Sequence, residues 1–285
     1  MTICFICTGN TCRSPIAEYY LNSLHLPGVF AVSRGIFATG SPISESSKIV
    51  LAEMGIDAEK HISKSLSRDD LKSDLFIAMS HSHKDALISV GIDPEKIIVL
   101  GDGINDPYGM PLTQYRICRD KIKSEINKLV FGGFIFGFSV EKASADDIKS
   151  MAALEKECFS SPWSENSLLD SFNSKTEFFV AKQKDKIIGY AGLTAVAGEG
   201  YITNIAVTNK ERKKGVGSLL TCRLIISAQK KQLDFISLEV RKSNEKAQSI
   251  YKNQGFKQVG LRKNFYTLPT EDAIIMTVYF KKEEN

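Results

Sequence analysis

The chain has 285 residues, 43% of them hydrophobic and 25% charged, with 20 glycines, 8 prolines and a net charge of +4; this is the balance of a globular protein and excludes a disordered, collagenous or low-complexity one. Such a length exceeds a single hydrophobic core, so two domains are expected. The basic excess lies wholly in the second half, which suits an anionic cofactor, though scattered surface lysines explain it equally well.

The first segment, Thr2 to Cys7, is short and apolar, as a buried strand is, and does not read as a leader. The six cysteines, at 4, 7, 12, 118, 158 and 222, lack the spacing of a secreted disulfide framework, so a reducing, cytoplasmic setting is expected. No stretch approaches the roughly 20 apolar residues of a membrane helix. Strands and helices then alternate: Pro15 to Leu24, Val29 to Ser33, Glu45 to Met54, Leu75 to Met79, His83 to Val90, Lys96 to Leu100 and, after a loop from Gly101 to Met110, a helix over Leu112 to Leu129. Repeated βα units predict a parallel sheet covered on both faces, with a ligand at the carboxyl ends of its strands.

Gly132, Gly133 and Gly137 interrupt the apolar run before Val140, and a domain boundary is placed near residue 135. The second domain, 136–285, opens with a strand and a helix with an acidic start. Three alternating runs follow, Phe178 to Gln183, Ile187 to Val196 and Tyr201 to Val207, then a helix from Ser218 to Lys231, a strand from Phe235 to Arg241, a helix from Glu245 to Gln254, and strands near Lys257 to Tyr266 and Ala273 to Phe280. Consecutive strands predict a mixed, largely antiparallel sheet.

Chemistry concentrates first in Cys7-Thr8-Gly9-Asn10-Thr11-Cys12-Arg13-Ser14. A loop between a strand end and a helix start turns backbone N–H groups inward and adds the helix dipole, so it traps an oxyanion. Arg13 adds a bidentate fork. The same field favours the Cys7 thiolate, a nucleophile for in-line attack on phosphorus, and the Ser14 hydroxyl can donate to it. A leaving group then needs a proton, and Asp106, in the loop Asn105-Asp106-Pro107-Tyr108-Gly109, is the candidate acid. Cys12 beside the nucleophile suggests a reversible Cys7–Cys12 disulfide, while Cys4 reads as core. His81 and His83 lie two apart, which on a helix does not share a face; both are read as solvent-exposed capping residues, and no metal is expected.

These motifs resemble the low-molecular-weight protein tyrosine phosphatase family over roughly residues 1 to 130. The resemblance implies a Rossmann-like parallel-sheet domain with nucleophile, phosphate-binding arginine and general acid at Cys7, Arg13 and Asp106. Thr11, where tyrosine phosphatases carry a bulkier aliphatic residue, is similar to the protein arginine phosphatase branch and implies a phosphoarginine substrate. Arg34, in Ser33-Arg34-Gly35, departs from the small residue usual there.

In the second half, Asn204-Ile205-Ala206-Val207 ends a strand, and Arg212-Lys213-Lys214-Gly215-Val216-Gly217 leads into a helix, a glycine-containing turn that lets backbone approach a pyrophosphate. With Leu238 to Arg241, Ser243-Asn244, Tyr251, Ser161-Pro162-Trp163-Ser164 and Asn264-Phe265-Tyr266, this half resembles the GNAT acetyltransferases over residues 138 to 283, and within them the RimI-type ribosomal-protein N-terminal acetyltransferases. The resemblance implies acetyl-CoA as co-substrate, a base at Glu239, an acid at Tyr251, and cofactor contacts at Ile205 to Val207, Arg212 to Gly217 and Asn244. The implied partners are a phosphorylated protein and a ribosomal-protein N-terminus, with neither membrane nor nucleic acid. Two alternatives stand beside this bifunctional reading: a phosphotyrosine phosphatase joined to an acetyltransferase of other amines, and a phosphate-sensing domain that performs no chemistry.

Overall fold

A computed structural model describes residues 1–280; residues 281–285 of the expected second domain lie outside them. The described chain divides into two units, Met1–Leu129 and Val130 onward.

In the first unit, strands β1 (Thr2–Cys7), β2 (Phe30–Gly35), β3 (Leu75–Ala78) and β4 (Ile97–Val99) form an all-parallel sheet in the order β2-β1-β3-β4. Helices α1 (Arg13–Ser23), α2 (Glu45–Ala52) and α3 (His81–Ser89) make the crossovers, and α4 (Leu112–Phe131) follows the last strand. Ile3, Cys4, Phe5 and Ile6 are fully buried, as are Phe76 and Ala78, because helices cover both faces; such strands read as apolar runs without alternation. Ile3, Phe5, Ile6 and Phe76 each contribute about 1.5–3 kcal/mol by leaving water. Ser44 and Ser80 start α2 and α3 by accepting from the backbone of Ser47 and His83. The chain leaves β1 toward β2 on one side and reaches β3 on the other, so a switch point opens at the carboxyl end of β1. Cys7 is that end.

In the second unit, β5 (Ser139–Lys142), β6 (Thr176–Gln183), β7 (Lys186–Val196), β8 (Glu199–Val207), β9 (Phe235–Arg241), β10 (Lys257–Thr267) and β11 (Thr270–Tyr279) form a seven-stranded sheet ordered β10-β11-β9-β8-β7-β6-β5. Every neighbour is antiparallel except β8 and β9. That pair runs in register only from Glu199 to Tyr201 against Phe235 to Ser237, so the strands part beyond it. A bulge in β8 between Ile202 and Ile205, opposite Ala191 and Leu193, turns the strand where the parting begins. Helices α5 (Ile148–Cys158), α6 (Glu165–Asn173), α7 (Val216–Lys230) and α8 (Glu245–Asn253) complete the unit.

Helix α6 was not expected. Ser164 caps it through Ser167, yet Leu168 is its only fully buried residue, too little apolar pattern to read. Helix α4 runs on to Phe131, past the expected Leu129. Among the described residues no helix is long and apolar enough to cross a membrane.

Candidate active sites

Around Cys7 the loop is assembled from its own residues. Asn10 adopts φ of 53°, which turns its backbone N–H onto Cys7 Sγ at 3.2 Å; Ser14 Oγ lies 3.0 Å from the same sulfur. The Asn10 carboxamide donates to Ser14 Oγ at 3.0 Å and to Ser33 Oγ at 2.7 Å, and accepts from the Lys64 backbone at 2.9 Å. Asn10 fills an acceptor site on Ser14, whose own proton has both the sulfur and, at 3.4 Å, the Arg34 carbonyl within reach. Ser33 in turn donates to Glu18, whose carboxyl burial pushes upward. Gly35 is required beside this loop: a Cβ there would meet the Thr8 carbonyl at 2.7 Å.

Arg13 is only 6% exposed. Its Nη1 donates to the Ile104 carbonyl at 3.1 Å and its Nη2 to Asp106, while its buried Nε has no partner among the described residues, which suits an anionic oxygen. Asp106 also accepts from the Tyr108 backbone at 3.2 Å. Cys7, Arg13, Ser14 and Asp106 thus converge on the switch-point crevice. Cys12 is buried against hydroxyls, with Ser44 Oγ at 3.4 Å and Tyr115 Oη at 3.5 Å; burial pushes Tyr115 up to about 12. All six cysteines are free thiols. Cys4 is core, and burial pushes its thiol up to about 12.

Thr11 is half-buried, with its carbonyl accepting from Ser44 N at 3.0 Å. Arg34 is committed elsewhere, by Nε to Asp70 at 2.9 Å and Nη2 at 2.7 Å. Burial would raise the Asp70 carboxyl, but Arg34 and Ser67 hold it below its usual range.

The histidine reading needs correction. His81 is exposed and lies 2.8 Å from Asp102, but His83 is buried, with Nε2 at 2.9 Å from Thr8 Oγ1. The helix starts at His81 rather than His83, so His83 falls in its first turn on the inner face.

The acetyltransferase candidates are spread more widely. Ile205, Ala206 and Val207 follow the bulge on β8, past the parting from β9; Glu239 lies on β9 beyond Ser237, on the facing lip. Between β8 and α7, Lys213 and Gly215 take φ of 65° and 90°, and α7 starts at Val216 with no side-chain cap, leaving its first N–H groups for an anion. Arg212 Nε donates to the Val207 carbonyl at 3.1 Å, and Lys214 pairs with Glu211 at 2.9 Å. Asn244 caps α8 through Ala247 N at 3.2 Å. The parted strands and the uncapped, left-handed turn fit the pantetheine and pyrophosphate of acetyl-CoA. Glu239 Oε1 accepts from Arg262 Nη1 at 2.7 Å. Tyr251 packs on Phe256, ring centroids 5.8 Å apart, and burial, with Tyr266 adding to it, raises its hydroxyl. Among the described residues no hydrogen bond joins Glu239 to Tyr251.

One group was missed. Glu155, fully buried on α5, accepts from Tyr190, from Asn204 Nδ2 at 2.9 Å and from Trp163 N at 2.7 Å, tying the Ser161–Ser164 turn to the β8 bulge. Its signal was an acidic residue on the apolar face set by Met151, Ala152 and Leu154.

A model of the low molecular weight phosphotyrosine protein phosphatases matches residues 2–144. The chain belongs to this family. Its second half is a GNAT acetyltransferase domain, matched over residues 148–256. The phosphatase half is 40% identical over 137 residues to the protein-arginine-phosphatase of Geobacillus stearothermophilus, covering 45% of this chain and 92% of that one. It is also 36% identical over 136 residues to the low molecular weight protein-tyrosine-phosphatase PtpB of Staphylococcus haemolyticus, covering 45% and 97%. The GNAT half is 31% identical over 143 residues to the ribosomal protein bS18-alanine N-acetyltransferase of Haemophilus ducreyi, covering 49% and 99%. Both halves therefore belong to enzyme families.

Proposed function

We propose that the chain is a bifunctional cytoplasmic enzyme, a cysteine-dependent protein phosphatase over residues 1–135 and an acetyl-CoA-dependent protein N-terminal acetyltransferase over 136–285. The observation that carries the first activity is the convergence of Ser14 Oγ and Asn10 N on Cys7 Sγ beside the Arg13–Asp106 pair. A phosphoryl group entering the loop takes the Arg13 guanidinium and frees Asp106. The Cys7 thiolate attacks phosphorus in line, the bond to the leaving group breaks, and Asp106 supplies the leaving atom's proton. Water then attacks the cysteinyl-phosphate, giving up a proton to the Asp106 carboxylate, and inorganic phosphate departs. Thr8 to Ser14 bind the phosphate. A half-buried hydroxyl at Thr11 accepts from a guanidinium and narrows the space for a ring, which favours phosphoarginine over phosphotyrosine.

In the second activity Ile205 to Val207, Arg212 to Gly217 and Asn244 hold acetyl-CoA. Glu239, directly or through a water, takes the proton of an α-amino group, whose pKa of roughly 7.7 to 8.0 makes a modest base sufficient. The amine attacks the thioester carbonyl, the C–S bond breaks, and Tyr251 protonates the departing thiolate; its raised hydroxyl holds the proton until then. Similarity to the bS18-alanine acetyltransferase supports a ribosomal-protein N-terminus as acceptor. Hydrolysis of a generic aryl phosphate that disappears in Cys7→Ser tests the phosphatase, and a catalytically intact Cys7→Ser protein rejects it. Acetylation of free but not blocked α-amino peptides tests the acceptor; equal labelling of both rejects it.

A further inference from the structure

Thr8, the residue after the nucleophile, is held at both ends. Its carbonyl accepts from Phe37 N at 2.9 Å, and its hydroxyl stands 2.9 Å from His83 Nε2. On the other side of the ring, Ser80 Oγ lies 2.6 Å from Nδ1 and accepts the His83 backbone N–H at 3.3 Å. Ser82 Oγ is 2.9 Å from Ser80 Oγ. At 2.6 Å from Nδ1 we assign the Ser80 hydroxyl as the donor, since O–H donors approach more closely than N–H donors. Ser80 therefore donates to Nδ1 and accepts from Ser82 and from the His83 backbone, which uses its proton and both lone pairs. The ring proton then sits on Nε2 and goes to Thr8 Oγ1. The hydroxyl proton of Thr8, an exposed residue at the loop mouth, is left for another acceptor. Burial first, and then the charge of Arg13, push His83 down to about 4 against the pull of Asp106, so the ring is neutral at pH 7 and keeps this one tautomer.

We propose that His83 is a positioning residue of the phosphatase site, orienting Thr8 so that the threonine hydroxyl donates to a phosphoryl oxygen bound in the loop. This rests on the phosphate-binding reading of the Cys7–Ser14 loop. A hydrogen bond to a charged oxygen is worth about tenfold in binding or rate.

The test uses the full chain, with inorganic phosphate affinity measured by calorimetry and kcat and KM measured on an aryl phosphate. His83→Leu and Thr8→Val are each expected to weaken phosphate about tenfold and to lower kcat by a similar factor. His83→Gln, which restores an N–H donor, recovers most of both, and the Thr8→Val/His83→Leu double variant is no worse than Thr8→Val. A glutamine variant as impaired as the leucine one, or losses that multiply in the double variant, overturns the proposal. Should leucine unfold the unit, Thr8→Val decides alone, because unchanged phosphate affinity there refutes the role. A wild-type chain that binds phosphate without hydrolysing an ester would sink the catalytic reading, and the ranking of phosphate affinities would still decide the role of His83.

Discussion

In the phosphatase unit one run of residues, Cys7 to Ser14, supplies the proposed nucleophile and the proposed phosphate-binding arginine, and Ser14 Oγ and Asn10 N already lie 3.0 and 3.2 Å from the sulfur. In the acetyltransferase unit the candidate base and acid come from a strand and a helix, and each is occupied elsewhere, Glu239 by Arg262 and Tyr251 against Phe256. An anion site can be made of backbone, which is fixed once the strand–loop–helix turn forms. A site that joins two substrates across parted strands gains its working geometry when the substrates enter. The loop around Cys7 is therefore preassembled, with only the Arg13–Asp106 pair left for a phosphoryl group to part, whereas the second unit presents a cleft that its ligands complete.

Three experiments press on that contrast. Asp106→Asn removes the proton donor while leaving the loop intact, so kcat for a poor leaving group should fall on the order of 10²–10³-fold with phosphate affinity unchanged or tighter. Loss of phosphate affinity instead would make Asp106 part of the binding site. Glu239→Gln should lower acetyl transfer at neutral pH by roughly 10²-fold and leave acetyl-CoA affinity nearly unchanged. Full turnover would remove Glu239 as base. The third effect is on stability. A histidine free in the unfolded chain takes its proton near 6.5, whereas folded His83 does so only at about 4, so the unfolded state binds more protons in between. The contribution is present in full above pH 6.5 and is lost as pH falls toward 4, on the order of 3 kcal/mol. Thermal melts should show the first unit weakening across this window, less steeply in His83→Gln. Equal slopes would mean that the ring titrates normally in the fold.

Much of the first unit was legible because its central strands β1 and β3, buried on both faces, read as plain apolar runs and its motif is contiguous. Asp106 was expected as general acid from its loop and from the family resemblance, and the fold brings it against Arg13. His83 was misread by two residues of helix start, enough to move it from the inner face to solvent. The acetyltransferase cleft depends on where β8 and β9 stop pairing, a property of register that no local pattern encodes. The Glu155 cluster gathers Trp163, Tyr190 and Asn204 from three separate segments, and only the fold brings those together. Arg34, unusual in sequence, is accounted for by Asp70, which keeps its guanidinium occupied.

The most direct test of the phosphatase assignment sets phosphoarginine and phosphotyrosine peptides of the same sequence in competition on one preparation of the full chain. We expect a higher kcat/KM for phosphoarginine, with Thr11→Ile shifting the ratio toward phosphotyrosine. A preference for phosphotyrosine that Thr11→Ile leaves unmoved would contradict both the substrate and the role given to Thr11.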